Sequence, residues 1–149
     1  MEHSKYTITI NAPREKVWNT LFDDETYRKW TAAFAEGSQA ETDWKKGSKA
    51  YFTDGNGSGM VSRIEDNKPN EFMSIRHLGT LKDGVEDYNS EEAKKWGELY
   101  ENYTLNAANG GTELVIDLKG NLPEEFKEYF AAAWPKALDK LKELSEEGS

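Results

Sequence analysis

The stretch between Gly47 and Gly120 constrains the fold more than any other part of the chain. It contains several short segments in which apolar and polar residues alternate, as they do on half-buried strands. In TELVIDLKG, for example, Leu114, Ile116 and Leu118 share one face. The turn-forming sequences DGNGSG, DNKPN and NGG separate these segments. Consecutive strands joined by short turns predict an antiparallel meander.

The last part of the chain predicts a long amphipathic helix. Pro123 and two glutamates follow Leu122, which is typical of a helix start. The helix keeps one apolar stripe, made of Phe126, Phe130, Ala133, Trp134, Ala137, Leu138, Leu141 and Leu144. We expect this stripe to hold the fold together.

The N-terminal part predicts a strand that runs into two short helices. In KYTITI, the side chains of Tyr6, Ile8 and Ile10 share one face. Pro13 suits the first turn of a helix, where a missing backbone N–H is no loss. The apolar residues of the two helices are Val17, Trp18, Leu21 and Phe22, followed by Tyr27 and Trp30.

Residues 80–96 interrupt this pattern. The segment is long and charged, lacks clean alternation, and has glycines at positions 79 and 84 near its start. Long loops of this kind in compact domains tend to be lids or disordered spans, so we predict the most mobile part of the ordered domain here. SEEAKKW within it predicts a short helix capped by Ser90.

Composition and charge exclude several classes of function. The 149 residues suit one domain over positions 1–149, and the net charge of −9 disfavours binding to nucleic acid or to anionic lipid. No apolar run is long enough for a membrane span, and the N-terminus lacks the pattern of a signal peptide, so we expect a cytoplasmic protein. The two histidines are far apart and there is no cysteine, so the sequence predicts no metal site and no cofactor.

The order of these elements resembles a known superfamily. A strand, two short helices, antiparallel strands and a long C-terminal helix are carried by ITINAPREKVWNTLFDDETYRKW, GNGSGMVSRIEDNKPNEFMSIRH, GGTELVID and AAAWPKALDKLKEL. This order is similar to the α+β helix-grip fold of the START-like (SRPBCC) superfamily, and most similar to homologues of the activator of heat-shock protein 90 ATPase. The resemblance implies a curved antiparallel sheet of six to seven strands around the C-terminal helix. Two short helices would follow the first strand, and a cavity would lie between the sheet and the long helix.

The implied cavity suggests a set of ligand contacts. Aromatic residues make up 12% of the chain, and a small protein this rich in rings uses them either for core packing or for a pocket. Trp18 and Trp30 would be a wall and a plug of the cavity, or plain core residues. The predicted ligand-binding residues are Trp18, Phe22, Trp30, Phe34, Phe52, Met60, Ile75, His77, Glu101, Tyr103, Phe126, Phe130 and Trp134.

Two polar residues, His77 and Glu101, are the candidates for a functional role in the cavity. His77 alternates with Met73 and Ile75, which predicts an inward side chain that is either a hydrogen-bonded core residue or a functional group. Glu101 alternates with Tyr103 and other apolar residues, so it points inward unless a bulge shifts the register. An inward carboxylate is costly unless it is paired, and His77 is its candidate partner.

Three functions are compatible with these observations. The first is a protein that binds a small hydrophobic or aromatic ligand in the cavity. The second is a co-chaperone-like module that acts on a heat-shock protein ATPase, which the resemblance implies and the acidic charge opposes. The third is an enzyme of the cyclase or hydrolase type that uses His77 and Glu101.

Overall fold

The computed structural model describes residues 3–34, 37–54, 56–96, 99–120 and 124–147. In these ranges the chain forms a sheet and four helices. The elements in chain order are β1 (His3–Ile10), α1 (Arg14–Phe22), α2 (Asp24–Thr31), β2 (Gln39–Glu41), β3 (Lys49–Thr53), β4 (Gly59–Lys68), β5 (Phe72–Lys82), β6 (Val85–Asp87), α3 (Glu91–Trp96), β7 (Leu99–Ala108), β8 (Gly111–Lys119) and α4 (Glu124–Glu146). No helix of the described ranges is both long and apolar enough to cross a membrane.

The strands form one sheet in which every described pair is antiparallel. The order across the eight-stranded sheet is β1-β8-β7-β5-β4-β3-β2, and β6 pairs with β5 outside this path. The α+β helix-grip fold and the two short helices after the first strand are confirmed. The sheet has more strands than the six to seven predicted, because the three-residue strands β2 and β6 occur in segments that read as loops.

The prediction of one long loop over residues 80–96 is wrong. β5 continues to Lys82 and turns back into β6, so that Thr80 pairs with Asp87. A Cβ atom on Gly79 would lie 2.3 Å from the backbone oxygen of Asp87, so this glycine permits close packing. The short helix is confirmed with its cap, since the Ala93 N–H donates to the Ser90 hydroxyl over 3.1 Å.

The side chain of Glu86 connects β6 to β3, a strand with which β6 does not pair in the sheet. The ammonium of Lys49 contacts Glu86 Oε1 at 2.9 Å, and the hydroxyl of Tyr51 donates to Oε2 over 3.0 Å. The Tyr88 hydroxyl also donates to this carboxylate. The hydrogen bond from Tyr88 and then the one from Lys49 lower the pKa of Glu86 from 4.5 to about 2. The ionised carboxylate therefore helps to hold the β5–β6 turn.

We predict that Glu86→Gln loosens this turn at neutral pH. A lowered folded-state pKa means that the stabilisation is present above the unfolded value of 4.5 and is lost as the pH falls towards about 2. Amide exchange at residues 85–87 should speed up in the variant relative to residues 113–119 on β8. The wild type should show the same change on acidification. Glu25→Gln, which alters the same charge on a side chain that is 84% exposed, should leave this exchange rate unaltered.

The C-terminal helix α4 covers the inner face of the sheet. Ala133, Trp134, Ala137, Leu138 and Leu141 are buried, whereas Phe130 and Leu144 of the same stripe are partly buried. The side chain of Phe126 lies outside the described part of the structure. The Trp134 ring stacks on Tyr6 of β1 at 5.9 Å between centroids and meets Tyr103 of β7 at 6.4 Å. These contacts connect the helix to both sides of the β1–β8–β7 region.

The helices α1 and α2 pack beside α4 and close one end of the core. Trp30 is only 1% exposed, and its indole N–H donates to the carbonyl oxygen of Leu21 on α1 over 3.1 Å. This bond lets a large ring with a polar atom be fully buried. Trp30 therefore joins α1, α2 and α4 at one point.

Candidate functional site

A pocket of about 140 Å³ lies between the sheet and α4. We call it the ring pocket because aromatic side chains make up much of its wall. Its lining residues come from α2, four of the central strands, β8, α4 and the segment after α2. They are Tyr27, Trp30, Thr31, Phe34, Ser38, Phe52, Met60, His77, Leu99, Glu101, Tyr103, Leu118, Phe130 and Trp134.

A wider depression of about 430 Å³ adjoins the ring pocket, and we call it the mouth. The two share the residues Phe34, Ser38, Phe52, Met60 and Phe130. The remaining mouth residues lie on the β3–β4 turn, the end of β5 and α4, and they are Thr53, Asp54, Ser58, Gly59, Thr80, Leu81, Lys82 and Tyr129. Tyr129 is 42% exposed, so the mouth reaches the surface.

Most of the residues predicted to contact a ligand lie in this wall. Nine of them line the ring pocket, namely Trp30, Phe34, Phe52, Met60, His77, Glu101, Tyr103, Phe130 and Trp134. Three others, Trp18, Phe22 and Ile75, belong to the buried core and are not part of the described lining, which agrees with the packing interpretation. The side chain of Phe126 is not described.

The aromatic wall is held by ring-to-ring contacts. Phe34 meets Trp134 edge to face at 4.8 Å between centroids, and Trp30 lies 6.2 Å from the same ring. Tyr27 continues this set of rings, since its centroid lies 5.4 Å from Trp30 and 6.2 Å from Phe52. Contacts of this kind add stability beyond simple burial and limit the rotation of the rings. The pocket is consequently preformed by the packing of its own wall.

His77 enters the pocket from β5, as alternation with Met73 and Ile75 predicted. Its side chain is 6% exposed, and its Nδ1 lies 2.7 Å from the hydroxyl of Ser62 on β4. Ser62 pairs with His77 while Val61 pairs with Gly79, which is a register shift between the two strands. The shift keeps Ser62 and His77 on the same inner face.

Glu101 also points inward, and no register shift turns it out. Its side chain is 20% exposed, and Oε1 lies 3.4 Å from Nε2 of His77. The Tyr103 hydroxyl donates to Oε2. If the Ser62 hydroxyl donates to Nδ1 of His77, the imidazole N–H is at Nε2 and points to the carboxylate. The inner face thus carries a polar network of Ser62, His77, Glu101 and Tyr103.

The charge of Glu101 affects the two tyrosines near it. Burial, and then the negative charge of Glu101, raise the pKa of Tyr27 well above its usual value. The pKa of Tyr103 is raised by burial first, then by the charges of Glu101 and Tyr27, and by its hydrogen bond to Glu101. Both phenols therefore stay protonated at neutral pH, and Tyr103 remains a donor.

Trp134 carries a buried polar atom. Its Nε1 is buried and has no hydrogen-bond acceptor among the described residues. A buried donor without an acceptor costs about 1–3 kcal/mol.

Comparison with known proteins agrees with the fold and the resemblance. The sequence profile of the family described as activator of Hsp90 ATPase homolog 1-like protein matches residues 11–146. The chain belongs to this family. No match was found among curated protein sequences.

This member of the activator of Hsp90 ATPase homolog 1-like family shares its architecture with several solved structures. Protein MLL2253 from Mesorhizobium loti has a TM-score of 0.76 at 17% identity, over 99% of both chains. Aha1 from Colwellia psychrerythraea, solved as a dimer, has a TM-score of 0.72 at 19% identity, over 100% of this chain and 99% of that one. Protein CV1439 from Chromobacterium violaceum has a TM-score of 0.71 at 22% identity, over 97% and 96%. At these identities the likeness establishes the fold alone.

Some residues of the site in this family member were not predicted. Ser62 alternates with Met60 and Ile64, so the inward direction of its side chain could have been inferred. A serine hydroxyl on a strand, however, does not by itself indicate a functional role. Tyr27 was assigned to a helix face without being placed in the pocket. The other unpredicted lining residues are Thr31, Ser38, Leu99 and Leu118. Alternation alone could have found the two leucines.

Proposed function

We propose that the protein binds a small apolar or aromatic molecule in the ring pocket. The observation that carries the proposal is the combination of an aromatic wall with one internal polar network. Apolar walls bind by excluding water, and a few placed polar groups orient the ligand and give specificity. His77, Glu101 and Tyr103 supply such groups, and Ser62 holds the imidazole of His77 from outside the described lining.

The volume limits the size of the ligand. A cavity of about 150 Å³ in another protein takes a benzene-sized molecule, so the 140 Å³ ring pocket suits about one ring. A larger ligand would place one ring here and extend into the adjoining mouth. This arrangement requires no movement of the backbone for the ring-sized part.

A larger side chain in the ring pocket should strongly weaken ligand binding. Met60 lines both the ring pocket and the mouth and is partly buried, so Met60→Trp places a large ring where the ligand would enter. We expect the affinity for the neutral fluorescent probe N-phenyl-1-naphthylamine to fall by about tenfold or more. Native mass spectrometry should also detect a molecule that co-purifies with the wild type and is lost from the variant.

The matched control is Thr7→Trp, which adds the same ring at an exposed position of β1. This variant should bind the probe as the wild type does. Equal probe affinity in Met60→Trp and in the wild type, with both proteins folded by circular dichroism, would contradict binding in the ring pocket.

The polar network also favours a second function, an enzyme of the cyclase or hydrolase type. His77 and Glu101 lie within contact distance and line the same pocket, as acid–base chemistry requires. Ser62 is fully buried and is not part of the described lining, so it would orient the imidazole and would not attack a substrate. Conversion of the co-purified molecule during incubation would separate this function from simple binding. A role on a heat-shock protein ATPase rests on the family description alone.

A further inference from the structure

The hydrogen-bonding positions of Glu101 that remain free indicate the chemical class of the ligand. This inference rests on the proposed function. Glu101 has about four lone-pair positions. The Tyr103 hydroxyl uses one at Oε2, and His77 approaches Oε1 at 3.4 Å, which is longer than a usual hydrogen bond of about 2.7–3.2 Å. Glu101 Oε1 therefore keeps room for a stronger donor from the pocket.

The charge of the pocket favours a cation. Among its described lining residues there is one carboxylate, that of Glu101, and neither lysine nor arginine. A carboxylate in a largely apolar wall is costly unless a positive group or several donors compensate for it. An anionic ligand would meet this charge directly and would be repelled. The net charge of −9 also raises the local concentration of cations around the whole protein.

The aromatic wall also favours a cationic ligand. Rings attract organic cations through their negative faces, and this adds to ordinary apolar contact. The rings of Trp30, Phe34 and Trp134 pack against one another on one side of the pocket that holds Glu101. An aromatic amine has an apolar body for these rings and an ammonium group for the carboxylate.

We propose that the ring pocket selects small aromatic amines in their ammonium form, with the ammonium on Glu101. The ammonium thus compensates the charge of the carboxylate. Neutral molecules of the same shape bind more weakly, and carboxylates are excluded.

Three probes of matched shape test this selectivity. Isothermal titration calorimetry at neutral pH would compare 2-phenylethylamine, 2-phenylethanol and phenylacetate. We expect the amine to bind about tenfold or more tightly than the alcohol, because only the ammonium gains the attraction between opposite charges at the Glu101 carboxylate. Phenylacetate should bind more weakly than the alcohol.

The variant Glu101→Gln keeps the shape of the side chain and removes its charge. It should remove the difference in affinity between the amine and the alcohol. Glu25→Gln changes the net charge equally from an exposed position on α2 and should preserve the preference for the amine. The comparison of the three probes on the wild type does not depend on whether either variant folds.

The outcomes separate the inference from the proposed function. If 2-phenylethanol binds as tightly as the amine, the ligand class is wrong, although a ring-binding pocket remains. If none of the three probes binds, the ligand class is also wrong, and the proposed function is then decided by Met60→Trp and the co-purified molecule. If Glu25→Gln abolishes the preference as Glu101→Gln does, the selectivity comes from the general charge and not from the pocket.

Discussion

A chain that ends at residue 122 is expected to lose cooperative unfolding. It lacks α4, and with it the buried side chains of Ala133, Trp134, Ala137, Leu138 and Leu141. Burial of one large apolar side chain contributes roughly 1.5–3 kcal/mol, and a whole domain is stable by only about 5–15 kcal/mol. Removing the covering layer would also expose the inner face of the sheet to water. Thermal melting followed by circular dichroism should show no sharp transition.

Two point variants separate the loss of packing from the mere shortening of the chain. Leu141 is 0% exposed, so Leu141→Ala should reduce the free energy of unfolding by about 2–5 kcal/mol in urea titration. Glu143, on the same helix and 66% exposed at its side chain, should change it by less than about 0.5 kcal/mol when replaced by Ala. A sharp melting transition in the truncated chain would show that α4 is dispensable for folding.

Trp30→Ala is expected to be among the most destabilising single substitutions. Trp30 is 1% exposed and contacts Tyr27 and Trp134, and loss of a buried Trp ring costs about 3–5 kcal/mol. Trp30→Phe keeps most of the apolar volume but leaves the Leu21 carbonyl without its donor, at a further cost of about 1–3 kcal/mol. Urea titration of the two variants should place the phenylalanine protein between the wild type and the alanine protein.

The control for Trp30 is an aromatic residue on the surface. Tyr129 is 42% exposed, so Tyr129→Ala should cost far less than Trp30→Ala. If Trp30→Ala unfolds at the same urea concentration as the wild type, the ring does not join the helices as described.

The parts of the fold with a strong periodic pattern could be predicted from the sequence. Alternation in KYTITI and TELVIDLKG placed β1 and β8, and the same argument placed His77 and Glu101 on the inner face. These predictions succeed because a shift of one residue would move every side chain of a strand to the other face. The long apolar stripe predicted α4 for a similar reason, because its helical period fixes which face of the helix is buried.

Other features depend on contacts between distant parts of the chain. β2 and β6 are short and polar, and they become strands only because β3 and β5 offer them partners. The register shift that aligns Ser62 with His77 has no signature in the local sequence. Whether a buried ring packs in the core, as Phe22 does, or lines a pocket, as Phe52 does, depends on the space left beside it.

The wall of the ring pocket has a thermodynamic consequence for the whole protein. Its residues belong to α2, the segment after α2, β3, β4, β5, β7, β8 and α4, so the pocket exists only in the folded chain. A molecule that binds the folded state alone stabilises it by about 2.7 kcal/mol at a concentration one hundred times its Kd. The melting temperature then rises with ligand concentration, and the unfolded fraction open to proteolysis falls. The amount of this protein that survives in a cell would therefore report the supply of its ligand.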